Sequence, residues 1–222
     1  MTLAIFDIDG TLVEGSTERR FWRYLLKRGH QGPRQVVAYA LFWLRYLPVL
    51  GRLTAKKNKA YLYKLDTARV RTLASSFVVE EILPRLYAPA VQRLHSHLRR
   101  GDTVVLLSGT LEPIAQALAT ALKVQHVRAT LCRERDGRYL LGPPEVHPFA
   151  ATKLEIAAQF AAENGFSLDE ASAYGDSQDD LDLLQAVGYP VAVMPDPPLL
   201  ETARGNRWDI IRSRNAPHVF PQ

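Results

Sequence analysis

Two carboxylates separated by one residue, Asp7 and Asp9, stand in the run Asp7-Ile8-Asp9-Gly10-Thr11-Leu12. Residues two apart in an extended segment point the same way, so both can face one site. One can attack a phosphorus atom while the other moves protons. The second must hold a proton part of the time if the leaving oxygen is to depart as an alcohol, and a neighbouring negative charge helps by raising its pKa. The plainer alternative is an acidic turn capping a helix.

Three further groups carry chemistry. Ser108-Gly109-Thr110 closes the apolar run Thr103–Gly109. A hydroxyl and a bared backbone N–H near a helix start suit phosphate oxygens, although an ordinary strand-to-helix turn uses the same residues. Lys153 opens a helical pattern, where a cation gains nothing from the helix dipole. It is either a surface lysine or one that holds phosphate charge. Tyr174-Gly175-Asp176-Ser177-Gln178-Asp179-Asp180 places three carboxylates within five residues. They repel one another unless a cation is present, and oxygen ligands of this kind suit Mg²⁺. Acidic residues are also favourable at a helix N-terminus, which accounts for Asp182 and part of Asp179.

The elements around these groups read as a parallel α/β sheet. Residues 3–6 are a short buried strand ending in Asp7, and 103–109 and 171–176 are two more. YPVAVM is a further strand, and helical patterns separate these strands, as in a parallel sheet. Ligands bind such sheets beyond the C-terminal strand ends, where Asp7, Ser108 and Asp176 all stand. Residues 127–141 read as a hairpin turning at Asp136-Gly137. Thr17 is the expected cap of a helix stopped by Gly29, and a second helix follows Pro33, with an apolar body from Val36 to Leu44 interrupted by Arg45 and Pro48. Helical patterns continue through 55–65, 68–82, 88–100, 152–164 and DLDLLQAV. The tail after Trp208 reads as irregular.

In order and spacing the four groups resemble the haloacid dehalogenase-like superfamily of hydrolases, over most of the chain. DIDGTL is similar to its first motif, Ser108 to its second, Lys153 to its third and GDSQDD to its fourth. The resemblance implies an α/β fold, a Rossmann-like parallel-sheet core with an inserted helical cap like that of the phosphoserine phosphatase-like branch: core 1–13 and 89–222, cap 14–88. It implies a Mg²⁺-dependent phosphatase with an aspartyl-phosphate intermediate. Asp7 would be nucleophile and metal ligand. Asp9 would be the general acid/base, with its backbone carbonyl on the metal. Ser108, Gly109 and Lys153 would hold the phosphate, Asp176 the metal, and Asp180 and Asp179 the surroundings of the metal. Phosphoserine phosphatases keep an amine-binding glutamate nine residues after the nucleophile. Ser16 stands there, with Glu14 and Glu18 offset, so phosphoserine is expected to be a poor substrate.

Composition sets the remaining bounds. The 222 residues include one cysteine, which excludes an internal disulfide, and the N-terminal run has acidic residues where a secretory signal would be apolar; the expectation is cytoplasmic. Net charge is +5, yet residues 14–71 hold 14 Lys/Arg against 3 Asp/Glu, and 9 of the 20 aromatic residues. Such a segment is either a surface for an anionic amphiphile or membrane, or a small helical cap with its own aromatic core and a solvated basic face. A small phosphorylated molecule is the expected partner, and nucleic acid is not. A lipid-phosphate phosphatase, a phosphotransferase and a non-enzymatic anionic-surface binding module are the competing functions. The six histidines form no metal-like cluster and receive no role.

Overall fold

Residues 1–212 are described by the structure, a computed structural model. Its centre is a six-stranded sheet in the order β3-β2-β1-β6-β7-β8. The strands are β1 (Leu3–Phe6), β2 (Thr103–Leu111), β3 (His126–Thr130), β6 (Ser172–Gly175), β7 (Tyr189–Val193) and β8 (Asp209–Ile211), and every pairing between them is parallel. A separate two-stranded ribbon joins β4 (Glu134–Arg135) to β5 (Arg138–Tyr139).

Alternation along these strands splits the core in two. Ala4, Phe6, Val104, Leu106, Tyr174 and Val191 face one side, and Leu3, Ile5, Val105, Leu107, Ala173 and Ala192 the other. Both faces are covered, so the strands read as continuous apolar runs. Helices α5 (Ala88–Arg99) and α6 (Glu112–Leu122) cover the first face through Leu94, Ile114 and Leu118. Helices α7 (Ala151–Glu163), α8 (Leu181–Gln185) and α9 (Pro197–Gly205) cover the second through Phe160, Leu183 and Leu199.

Between β1 and α5 the chain is helical: α1 (Thr17–Lys27), α2 (Pro33–Leu50), α3 (Leu53–Lys57) and α4 (Thr67–Phe77). Phe21, Leu25, Val70 and Phe77 share the first core cluster with Val104 and Leu106. Ala38, Phe42 and Ala60 instead form a small cluster of their own, packed by Tyr46, Leu50 and Tyr63. Part of the aromatic content of this segment is therefore core.

Several expectations are corrected. Ser16, not Thr17, caps α1, accepting from the Arg19 N–H at 3.3 Å; Thr17 is the first helical residue. Helix α2 continues through Pro48 to Leu50, because Pro48 lies in the last turn on the exposed side, where solvent can satisfy the carbonyl whose bond it removes. The 55–65 pattern is only α3 plus a 3₁₀ turn at Ala60–Leu62, and α4 ends in a π-turn at Val78–Ile82. The hairpin is confined to residues 134–139. Its turn does use Asp136 and Gly137, both at positive φ (50° and 69°) as such a turn requires, while His126–Thr130 joins the main sheet. Asp209–Ile211 pairs with β7 rather than being irregular; the rest of the tail, from residue 213, lies outside the described residues.

Candidate active site

Because β1 lies between β2 and β6, three C-terminal strand ends meet. Phe6 is level with Leu106 and with Tyr174, so Asp7, Ser108 and Asp176 emerge side by side. The Asp7 N–H donates to the Tyr174 carbonyl at 3.0 Å, which holds the nucleophile candidate at the sheet edge. Gly10 turns the chain away at φ +85°, and a Cβ there would stand 2.0 Å from Asp176 Oδ2. The glycine thus serves both the turn and the approach of the two acidic loops.

Lys153, in the first turn of α7, is buried rather than on the surface. Its Nζ donates to Asp7 Oδ1 at 2.6 Å and to Asp180 Oδ1 at 2.5 Å. Asp180 Oδ2 accepts from the backbone N–H groups of Asp176 (3.1 Å) and Ser177 (3.3 Å), fixing the turn after β6. Asp7, Asp176 and Asp180 each bring one oxygen within 4.8 Å of the others, a donor set that suits a hard divalent cation. The Asp9 carboxylate is outside that set: Oδ1 accepts from the Thr17 N–H at 3.0 Å, at the start of α1.

The charge balance is unusual. Burial pushes Asp7 up to about 7, with Asp180 and Asp9 adding to it and Lys153 opposing. Burial, Asp7 and Asp180 push Asp176 up to about 8. Burial also raises Asp9, against the hydrogen bonds of Thr17. Burial disfavours the charge on Lys153, but Asp180 and Asp7 outweigh it and hold the ammonium above its ordinary range. Lys153 gains from two anions while each anion has half a cation, so attraction wins for the lysine and burial for Asp7.

Ser108 is buried, and its hydroxyl donates to Thr110 Oγ1 at 3.2 Å and accepts from the Thr110 N–H at 3.3 Å. Gly109 has its carbonyl tied to Thr130 Oγ1 at 2.6 Å. Asp179 stands on the rim, its Oδ2 2.7 Å from Lys56 Nζ of α3. All the site residues expected from the sequence, Asp7, Asp9, Ser108, Gly109, Lys153, Asp176, Asp179 and Asp180, line one cavity of about 910 Å³.

The opposite wall comes from the helical segment. Glu18 accepts from Lys59 Nζ at 2.5 Å and from the Tyr61 hydroxyl at 3.0 Å. Trp22, Tyr39 and Tyr61 add aromatic surface. Lys56, beyond its ion pair, lies 3.5 Å from the Phe149 ring centroid. His147, given no role from sequence, lines the cavity too. Thr130 Oγ1 donates to the Gly109 carbonyl and so accepts from His147 Nδ1 at 2.8 Å. That puts the imidazole proton on Nδ1 and leaves Nε2 an acceptor. Nε2 is out of contact with solvent and has no hydrogen-bond partner among the described residues. Burial and the charges of Lys59, Lys57 and Lys56 pull His147 down to about 3, so the ring is neutral.

Residues 4–185 match the sequence pattern of the family described as haloacid dehalogenase-like hydrolase. This chain belongs to that family. The haloacid dehalogenase-like hydrolase is 29% identical over 219 residues to a histidinol-phosphatase of Neisseria meningitidis, covering 94% of this chain and 97% of the relative. It is 28% identical over 217 residues to a phosphoserine phosphatase of Mycobacterium tuberculosis, covering 93% and 69%. A solved structure of unknown function from Bordetella pertussis superposes with a TM-score of 0.79 at 28% identity, covering 95% of this chain and 99% of that one. The fold expected from the sequence, an α/β fold with a Rossmann-like parallel-sheet core, is the observed one, and the hydrolase class follows from the family.

Proposed function

We propose that this hydrolase is a Mg²⁺-dependent phosphomonoesterase that passes the phosphoryl group through Asp7. The observation that carries the reading is the sharing of Lys153 between Asp7 and Asp180, beside Asp176 and below Ser108. Phosphatase names among the relatives support it.

Lys153 engages Asp7 Oδ1, which leaves Oδ2 for attack on phosphorus. The bond from phosphorus to the leaving oxygen breaks as the bond to Asp7 forms. Asp9, raised by burial, holds the proton that the leaving oxygen takes. The Asp9 carboxylate so formed then removes a proton from water. The water oxygen attacks phosphorus and the Asp7–phosphorus bond breaks, releasing phosphate, restoring the Asp7 carboxylate and leaving Asp9 protonated as at the start. Ser108, the Gly109 backbone and Lys153 clamp the phosphoryl oxygens. Asp7, Asp176 and the Asp9 carbonyl would hold Mg²⁺; Asp180 orients that set and Asp179 flanks it. When bound there, Mg²⁺ supplies charge neutralisation for a dianionic substrate among several carboxylates. The segment 14–88 acts as a cap over the core 1–13 and 89–222, and its Glu18, Trp22, Tyr39 and Tyr61 meet the leaving group.

The substrate is a small phosphate ester whose leaving group is larger than serine, since the cavity approaches the upper end of small-molecule sites in volume. Ser16 is spent on capping α1, and Glu18 is already paired with Lys59. A panel of amino-acid, amino-alcohol, imidazole, sugar, nucleotide and lipid phosphates, assayed with Mg²⁺ and again after chelation, tests the reading. Turnover of some members that disappears on chelation is expected; turnover that survives exhaustive chelation would contradict it.

A further inference from the structure

The segment from residue 19 to residue 65 contains 12 Lys/Arg and no Asp or Glu. Within it α2 is set apart by what it leaves uncovered. Gln35, Ala38 and Phe42 are its buried residues, on one side. The opposite side is formed by Pro33, Val36, Val37, Ala40, Leu41, Leu44, Leu47 and Pro48, all exposed and all apolar. These positions follow the three- and four-residue spacing of a single helix face. Val36 is 70% exposed, Leu44 76% and Val49, in the last turn, 78%. Exposed Arg34 and Arg45 border the stripe, and exposed Arg52 follows its C-terminal end. No helix among the described residues is long and apolar enough to cross a membrane.

We propose that α2 is an interfacial helix that docks this chain on an anionic lipid bilayer, its apolar face in the headgroup boundary and its arginines on lipid phosphates. An apolar stripe rimmed by arginine, with acidic residues excluded from the surrounding sequence, is the pattern that such surfaces select. Charge also decides between occupants. A second copy meeting this face through two-fold symmetry would bring like-charged rims together. An anionic bilayer supplies both the apolar layer and the opposite charge. Val36 and Tyr39 of α2 also line the catalytic cavity, so docking brings the cavity wall to the lipid surface. The inference does not depend on the reaction proposed above, because it is read from binding alone.

The test is pelleting of the full chain with vesicles of phosphatidylcholine, or of phosphatidylcholine mixed with phosphatidylglycerol. Binding to the mixed vesicles that weakens with salt is expected. Arg45→Glu should weaken it roughly fivefold or more, and Leu44→Glu at least about tenfold. Thermal unfolding checks that each variant is folded, and Val37→Ser serves as a milder variant if Leu44→Glu is not. Soluble-substrate turnover should be unchanged in the folded variants. Absence of the parent chain from anionic-vesicle pellets would overturn the proposal. So would a dimer in sedimentation equilibrium that Leu44→Glu dissolves, since the face would then be a contact between copies.

Discussion

The ammonium of Lys153 lies 2.6 Å from Asp7, a residue 146 positions away in the chain, and 2.5 Å from Asp180. One cation is shared by two carboxylates, and all three groups are nearly sealed from solvent. Removing the cation leaves buried charge unpaired. Lys153→Met is expected to abolish turnover and to cost about 3–5 kcal/mol of stability in the metal-free protein. Denaturant unfolding of the two proteins side by side measures this; equal stability would mean the lysine does not hold the acidic cluster.

In the proposed mechanism Asp7 and Asp9 play different parts and should fail differently. Asp7→Asn removes the attacking oxygen and should leave no measurable turnover in a folded protein. Asp9→Asn keeps the nucleophile but loses the proton carrier, a loss of roughly 10²–10⁴ in kcat. Steady-state kinetics on the purified variants separate the two. An Asp9→Asn protein with parental kcat would remove Asp9 from the mechanism.

The acidic cluster sets a pH dependence of known sign. In the metal-free fold Asp7 keeps its proton to about pH 7 and Asp176 to about pH 8, whereas in the unfolded chain they lose it near pH 4. Over that window the folded state binds more protons than the unfolded state. Stability of the metal-free protein is therefore fullest below about pH 4 with respect to these groups, and is lost as pH rises through about 7 to 8. Metal binding requires the deprotonated forms and releases protons. The rise in Tm on adding Mg²⁺ should be larger near pH 8 than near pH 5. A rise that is independent of pH, or larger at the acid end, would contradict this assignment.

Much of this arrangement was legible in the sequence, for physical reasons. Asp7, Ser108 and Asp176 each end an apolar run, and a parallel sheet brings such ends together whatever lies between. Lys153 could be marked but not placed, since only the fold shows it buried between Asp7 and Asp180. Residues 127–130 read as part of a hairpin because the strand mixes polar with apolar residues, and it lies at a sheet edge. The short β8 has only Asp209, Ile210 and Ile211 to announce it. His147 and Lys59 carry no spacing signal at all, and Glu18 is offset from the position, held by Ser16, that the resemblance marks; tertiary packing brings all three to the cavity. The aromatic basic segment divided both ways: Phe21, Tyr24 and Phe42 are buried, while the apolar face of α2 is exposed.

Gly10 is the position where backbone and site are most tightly joined. Gly10→Ala needs a left-handed backbone and puts a methyl group into Asp176. It is expected to reduce Mg²⁺ affinity and turnover together, with a stability loss of at least about 1 kcal/mol. Isothermal titration with Mg²⁺ is the direct check. Unchanged affinity would mean that Asp176 does not hold the metal.

Lys56 joins the helical segment to the core through Asp179 and Phe149. Its ion pair is about half exposed, so its loss should be small in stability and visible in substrate binding. Lys56→Ala is expected to raise KM a few-fold, roughly the worth of one exposed pair and one cation–π contact. A change confined to kcat, with KM untouched, would place Lys56 in the chemical step instead.

If Asp7 carries the phosphoryl group, an acyl-phosphate must form on its side chain during turnover. The most direct measurement is acid quenching of the enzyme during turnover of a labelled substrate, followed by borohydride reduction and peptide mass spectrometry. Reduction of the acyl-phosphate is expected at Asp7 alone, absent in Asp7→Asn and absent without Mg²⁺. An enzyme that turns over rapidly under the same conditions and yields the modification at another residue, or an Asp7→Asn protein that still releases phosphate at the parental rate, would contradict it.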